Sequence, residues 1–308
     1  MEINRQNISE WLKKLQSDIC FSLQTADGLS SFNHDVWERE LGGGGISKVI
    51  ENGAVIEKGG VMFSAVHGKV PEFLLKEQSH SVIETKLTQA DTFFATGVSI
   101  VIHPKNPMVP IIHMNIRYFE MSNGVRWLGG GIDLTPHYIV DSDAKFFHQQ
   151  LKSVCDQHHK SYYSKFKTWA DDYFYIKHRS ETRGIGGIFF DRLSSTQDVS
   201  FEQNFAFWQN VGQIFSPTYL ELITRNKNKS FTTQNKQWQL LRRGRYVEFN
   251  LVYDKGTRFG LETDGRIESI LMSLPTHASW IYNFKPSKNS EEDITLSKLK
   301  KDIDWLKL

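Results

Sequence analysis

Ile111-Ile112-His113-Met114-Asn115-Ile116-Arg117-Tyr118-Phe119-Glu120-Met121 alternates with a period of two. Ile112, Met114, Ile116 and Tyr118 fall on one face of an extended chain, and His113, Asn115 and Arg117 on the other. The pattern predicts a strand whose apolar face packs on a core. The opposite face sets a base, an amide and a guanidinium in a row about 7 Å apart. The plain alternative is the solvent side of an edge strand, where Lys, Glu and Thr are commoner. Pattern alone weighs the two evenly.

The preceding segment extends the motif. Val98, Ile100 and Ile102 are apolar, while Ser99 and His103 take the other face. Antiparallel pairing with His103 opposite His113 puts Ser99 opposite Arg117, and all four side chains share one face. Residues 93–121 therefore read as two long strands joined at Pro104-Lys105-Asn106-Pro107. Residues 125–133 read as a third, ending in Gly129-Gly130-Gly131. Such glycines let a ligand or backbone approach closely. Asp133, just beyond, is placed to accept hydrogen bonds from a ligand's N–H groups. A turn aspartate capping local backbone is the simpler reading from sequence alone.

Further out, Ile8, Trp11, Leu12, Leu15 and Ile19 predict a helix that stops before Gly28. Gly42 to Gly45 predict a loop, and Asn52-Gly53 between two extended runs predicts a hairpin with a two-residue turn. From Asp141 the period becomes helical. Phe147, Leu151 and Val154 mark one helix, and Phe166, Trp169, Tyr173 and Ile176 a second. Phe201, Phe205, Trp208 and Phe215 mark a third, with two shorter ones expected between Pro217 and Arg242. Strands are expected again at 246–253 and 257–271, the latter folded at Asp264-Gly265. Strands, helices, then strands predict an α+β protein built on a large, mostly antiparallel sheet flanked by helices. With no linker or repeat, residues 1–308 read as one domain. The polar tail from about Pro286 is either a peripheral surface helix or a frayed end.

The composition is that of an ordinary globular chain, 39% hydrophobic and 23% charged. A net charge of +2 argues against a nucleic-acid or membrane-surface protein. Cys20 and Cys155 are far apart, so no disulfide framework or thiolate metal site is expected. No signal segment or membrane-length apolar run is apparent, which makes the cytoplasm the expected location. Phosphate-loop, dinucleotide, nucleophile-elbow and zinc-protease motifs are all missing.

Four histidines, His103, His113, His148 and His178, could meet on a metal, but their spacings match no metal signature. By spacing alone they read better as structural. Arg242, Arg243, Arg245, Arg258 and Arg266 could bind a polyanion, or simply pair with Glu248, Glu262 and Glu268.

Longer strings carry more information. Among them are G-G-G-G-I-S-K-V-I-E-N-G, G-V-M-F-S-A-V-H-G, G-V-S-I-V-I-H-P-K-N-P, P-I-I-H-M-N-I-R-Y-F, G-G-G-I-D-L-T-P, D-D-Y-F-Y-I-K-H-R, R-G-I-G-G-I-F-F-D, R-R-G-R-Y-V-E-F-N-L and E-S-I-L-M-S-L-P. In order and over most of the chain, they resemble the oxygen-dependent coproporphyrinogen-III oxidase family. The resemblance implies a homodimer on a large antiparallel sheet with helices on both faces. It implies oxidative decarboxylation of two propionates of coproporphyrinogen III to vinyl groups, with O2 as co-substrate and no organic cofactor. It implies substrate contacts at Ser99, Asn115, Arg117 and the turn Asp264-Gly265-Arg266, where Asp264 departs from the family pattern. His113 matches the family's proposed proton donor, and Asp133 and Arg117 match residues held essential there. His103, His113, His148 and His178 match positions assigned to a divalent metal. Two other readings stand beside this one: a metal-dependent oxygenase using the four histidines, and a tetrapyrrole carrier without catalysis.

Overall fold

The computed structural model describes residues 3–70, 91–262 and 265–308. Helix α1 (Arg5–Asp27) buries Ile8, Leu12, Leu15, Ile19 and Leu23. Each such side chain is worth about 1.5–3 kcal/mol when fully buried. The Asn4 side chain accepts from the Asn7 N–H at 2.9 Å to open the helix, and Gly28 at φ 74° closes it.

Strands β1 (Asn33–Glu38), β2 (Gly43–Glu51), β3 (Ile56–Lys69), β4 (Thr92–Pro104), β5 (Ile111–Met121) and β6 (Arg126–Thr135) follow in chain order. After helices α2 (Asp141–His158) and α3 (Tyr162–Tyr173) comes a small ribbon of β7 (Tyr175–Ile176) and β8 (Glu181–Thr182), then β9 (Gly187–Leu193). The large sheet runs β1-β2-β3-β4-β5-β6-β9 and every neighbouring pair is antiparallel. Helices α4 (Phe201–Gln213), α5 (Phe215–Asn226), α6 (Thr233–Val252), α7 (Lys255–Glu262), α8 (Ile267–Leu271) and α9 (Glu291–Lys298) complete it. The α+β expectation holds.

Ile112, Met114, Ile116 and Tyr118 join one buried cluster with Leu12 of α1, Trp208 of α4 and Tyr219 of α5. On the opposite face Val101 and Ile111 pack against Tyr246 of α6. Helices thus cover both faces, and the polar row of β5 lies on the α6 side. Its neighbours are half-buried in alternation: His113, Asn115 and Arg117 are partly open while Ile112, Met114 and Ile116 are closed.

Several expectations change. Only Gly42 of the glycine run stays outside a strand; Gly43, Gly44 and Gly45 pair with β3. A Cβ on Gly44 would lie 2.3 Å from the Trp37 carbonyl, so strand packing, not a loop, requires glycine there. The Asn52-Gly53 hairpin exists, but its turn spans residues 52–55. The buried Asp27 carboxylate accepts from the Ala54, Val55 and Ile56 N–H groups at 2.8–3.1 Å and holds the longer turn. The strand pairing is offset by two residues from the one expected: His113 faces Val101, Ser99 faces Asn115 and Gly97 faces Arg117. An offset of two preserves the face, so the shared polar side stands.

The expected strands at 246–253 and 257–271 are overturned. Residues 246–252 are the last turns of α6, and α7 and α8 occupy most of the rest. Trp238, Leu241, Arg242, Arg245, Tyr246 and Phe249 recur at helical spacing and are buried, and Thr232 with Asn235 forms a capping box at the start. Asp264 lies outside the described residues. The segment after Pro286 carries α9, and beyond it Leu299 and Trp305 enter the main core. The Leu299 carbonyl accepts from the Thr182 N–H.

Candidate active site

The pairing of β5 with β6 sets His113 directly opposite Asp133. Their side chains meet on the α6 side of the sheet, with His113 Nδ1 2.7 Å from Asp133 Oδ1. Nδ1 carries the proton in that bond, since a carboxylate can only accept. Nε2 of His113 makes no hydrogen bond among the described residues. The imidazole side chain is 20% exposed and the carboxylate 2%, so the histidine alone presents itself outward.

Asp133 therefore departs from both sequence readings. It neither caps a turn nor opens toward a ligand, because its second oxygen accepts from Nη2 of Arg183 at 2.6 Å. Burial pushes the Asp133 carboxyl up, but the Arg183 guanidinium and His113 outweigh it and hold the carboxyl below its usual range. Arg183 is itself buried. Its guanidinium carbon lies 4.4 Å from the Phe174 ring centre and 4.7 Å from those of Tyr246 and Phe249. Nη1 donates to Asn250 Oδ1 at 2.9 Å.

Two residues further along β5, Asn115 faces Gly131 on one side and Ser99 on the other. Arg117 faces Gly129 and reaches over it, donating from Nη2 to Asp191 Oδ1 of β9 at 2.8 Å. Ser99, Asn115 and Arg117 are partly open, so these three and His113 form one polar strip above a floor of glycine backbone. Such a strip can hold a carboxylate at Arg117 and exchange a proton at His113.

The histidines do not gather. His148 is fully buried, with Nδ1 3.0 Å from the Tyr163 hydroxyl and Nε2 3.0 Å from the Ile185 carbonyl. His178 sits between the Tyr253 hydroxyl and Glu248. His103 is buried with Nε2 2.8 Å from the Ser273 carbonyl and its ring edge-on to Tyr246. Burial pushes His103 and His148 down to about 3. No group of three or more His, Cys, Asp or Glu able to hold a metal occurs among the described residues. The four histidines do not fit a shared ion here, since the nitrogens of His148 and His178 are already engaged.

Each of the five arginines has an acidic partner. Arg242 pairs with Glu181, Arg243 with Glu57, Arg245 with Glu248, Arg258 with Glu262 and Arg266 with Asp35. The pairing reading holds in kind, with three partners that the sequence did not offer. Arg183 and Asn250 were missed. Arg183 stands in the quoted string R-G-I-G-G-I-F-F-D, but no local period marks an arginine whose partners lie 50 and 67 residues away.

Among the described residues, no helix is long and apolar enough to cross a membrane. The sequence model of the coproporphyrinogen III oxidase family matches residues 7–305. The chain is 47% identical over 308 residues to an oxygen-dependent coproporphyrinogen-III oxidase of Drosophila melanogaster, covering 98% of this chain and 78% of that protein. It is 51% identical over 299 residues to the mitochondrial oxygen-dependent coproporphyrinogen-III oxidase of Homo sapiens, covering 95% of this chain and 65% of that one. It is 46% identical over 310 residues to the chloroplastic one of Glycine max, covering 98% and 80%. With the family match running through β1 to β9 and the polar strip they carry, this chain belongs to the coproporphyrinogen III oxidase family.

Proposed function

We propose that the chain catalyses oxygen-dependent oxidative decarboxylation of two propionates of coproporphyrinogen III, giving protoporphyrinogen IX. For each propionate, one O2 takes two electrons and becomes hydrogen peroxide. The β-carbon loses one hydrogen, the bond to the carboxyl carbon breaks to release CO2, and the remaining two carbons form the vinyl double bond. One proton is taken up. The porphyrinogen pyrrole is electron-rich and donates to O2 itself, so the protein orients the substrate, moves protons and limits water.

The observation that carries this reading is the His113–Asp133 pair at the edge of an otherwise buried network. His113 serves as the proton-transfer group. Asp133, charged and held by Arg183, keeps its Nδ1 protonated and its Nε2 turned outward. Arg117 grips a carboxylate, with Ser99 and Asn115 beside it on the strip. Gly265 and Arg266 belong to the same contact set, Arg266 exchanging Asp35 for a substrate carboxylate. Asp264 is expected with them.

Aerated and anaerobic assays with coproporphyrinogen III test the proposal, reading protoporphyrinogen, CO2 and peroxide. O2-dependent formation of all three supports it. Binding without turnover would favour a carrier, and activity lost on chelation and restored by one metal would favour a metal-dependent oxygenase. We read the working form as a cytoplasmic homodimer, although the human and soybean relatives are named for organelles. Light scattering and cell fractionation test those two points.

A further inference from the structure

We propose that Asn250 is a positioning residue for the catalytic pair, acting through Arg183; the inference rests on the reading of His113 and Asp133 given above. Arg183 touches Asp133 through one nitrogen only, Nη2, and only at Oδ2. A guanidinium beside a carboxylate ordinarily takes both oxygens with two parallel N–H groups. Here the second arm, Nη1, is drawn to the Asn250 amide oxygen at 2.9 Å. That diversion leaves Oδ1 of Asp133 to His113.

The aromatic rings cannot do this work. Phe174, Tyr246 and Phe249 lie within 4.4–4.7 Å of the guanidinium carbon and stabilise its charge. Contact with a ring face does not fix which N–H points where. Among the described residues Nε of Arg183 has no hydrogen-bond partner, so direction comes from Asn250 and Asp133. Without the amide oxygen, Nη1 turns to Oδ1 and the arginine competes with His113 for it. The imidazole then loses the acceptor that sets its tautomer. Asn250 sits on α6 and is buried, so the helix covering the sheet also aims the arginine.

The test compares Asn250→Leu, Asn250→Ala and Asn250→Asp in the intact enzyme, with Asp133→Asn as control and circular dichroism to confirm folding. Asn250→Leu should lower kcat by about 10- to 100-fold, the scale for misplacing a catalytic group by about 1 Å. KM should stay within about twofold, because the strip at Ser99, Asn115 and Arg117 is untouched. Asn250→Ala, which leaves more room, should behave alike and serves if the leucine variant does not fold. Asn250→Asp keeps an acceptor oxygen in place and should restore most of the turnover. In 15N-histidine spectra the Nδ1–H signature of His113 should weaken in the leucine and alanine variants and return in the aspartate variant. Wild-type kcat in a folded leucine or alanine variant, beside an inactive Asp133→Asn, would overturn the positioning role and leave the catalytic pair standing. Wild-type kcat in Asp133→Asn would overturn both.

Discussion

Arg117 Nη2 reaches Asp191 Oδ1 at 2.8 Å by crossing above Gly129, so a residue of β5 pairs with one of β9 over the strand between them. A Cβ at Gly129 would lie 2.6 Å from that Asp191 oxygen and 2.8 Å from Arg117 Nε. Arg117→Ala should cost about 1.5–3 kcal/mol in kcat/KM, the range for a hydrogen bond to a charged group. Arg117→Lys should recover little, because the planar fork is lost. Gly129→Ala should mimic Arg117→Ala by pushing the guanidinium aside. Steady-state kinetics check all three, and an unchanged kcat/KM in Arg117→Ala would remove the carboxylate grip.

Asp133→Asn replaces an acceptor with a group that is half donor, and one of its two partners must then meet an N–H. Turnover should fall about 10²-fold or more, the scale for general acid–base groups. The fold should weaken by about 3–5 kcal/mol, because Arg183 is left as a buried, uncompensated charge. Turnover and urea titration of one preparation measure both. A variant as stable as wild type would show that Arg183 is satisfied elsewhere.

His103 and His148 should make the protein acid-sensitive. Burial holds both neutral down to about 3, whereas the unfolded chain protonates them near about 6.5. As pH falls through that interval, only the unfolded state gains the protons. Stability is therefore whole above about pH 6.5 and drops by about 1.4 kcal/mol per unit for each histidine toward pH 3. Urea midpoints at pH 7.5 and 5 measure the slope. His148→Gln should flatten it and leave the metal content of the protein unchanged; an equally steep slope would mean that His148 does not contribute.

Asp27 offers a test at the other end of the sheet. Its carboxylate accepts from Leu29, Ser30, Ala54, Val55 and Ile56. Burial pushes the carboxyl up, but the N–H groups of Ile56, Ser30, Val55 and Ala54 outweigh it and hold it below its usual range. Asp27→Ala should lower stability by about 1–3 kcal/mol, the cost of leaving buried donors unsatisfied. Activity per folded molecule should be unaffected, since the polar strip lies on other strands. A loss of kcat at full stability would contradict this.

The polar strip was legible because alternation fixes a face even when the pairing does not. Shifting His113 from His103 to Val101 moved the register by two residues and left every side chain on its side. The α6 segment misled for a physical reason. Tyr246, Val247, Phe249, Leu251, Val252 and Tyr253 are aromatic, branched or apolar and favour strands locally, yet Trp238, Leu241, Tyr246 and Phe249 bury along one helical stripe. Asp133 and His113 were found, but the arginine that holds Asp133 was not. Alternation predicts neighbours within a sheet, and Arg183 arrives from the segment between β8 and β9, outside any repeat.

Arg183 joins Asp133 across 50 residues of chain and Asn250 across 67. Contacts of such sequence separation close long loops and form slowly, whereas α1 and the β2–β3 hairpin need only local chain. In refolding, α1 and the β2–β3 hairpin will register by circular dichroism before catalysis returns. Recovery of turnover is then a clock for these long-range closures, and a chain halted before α6 docks would carry the His113–Asp133 pair while Arg183 still lacked the amide that aims it.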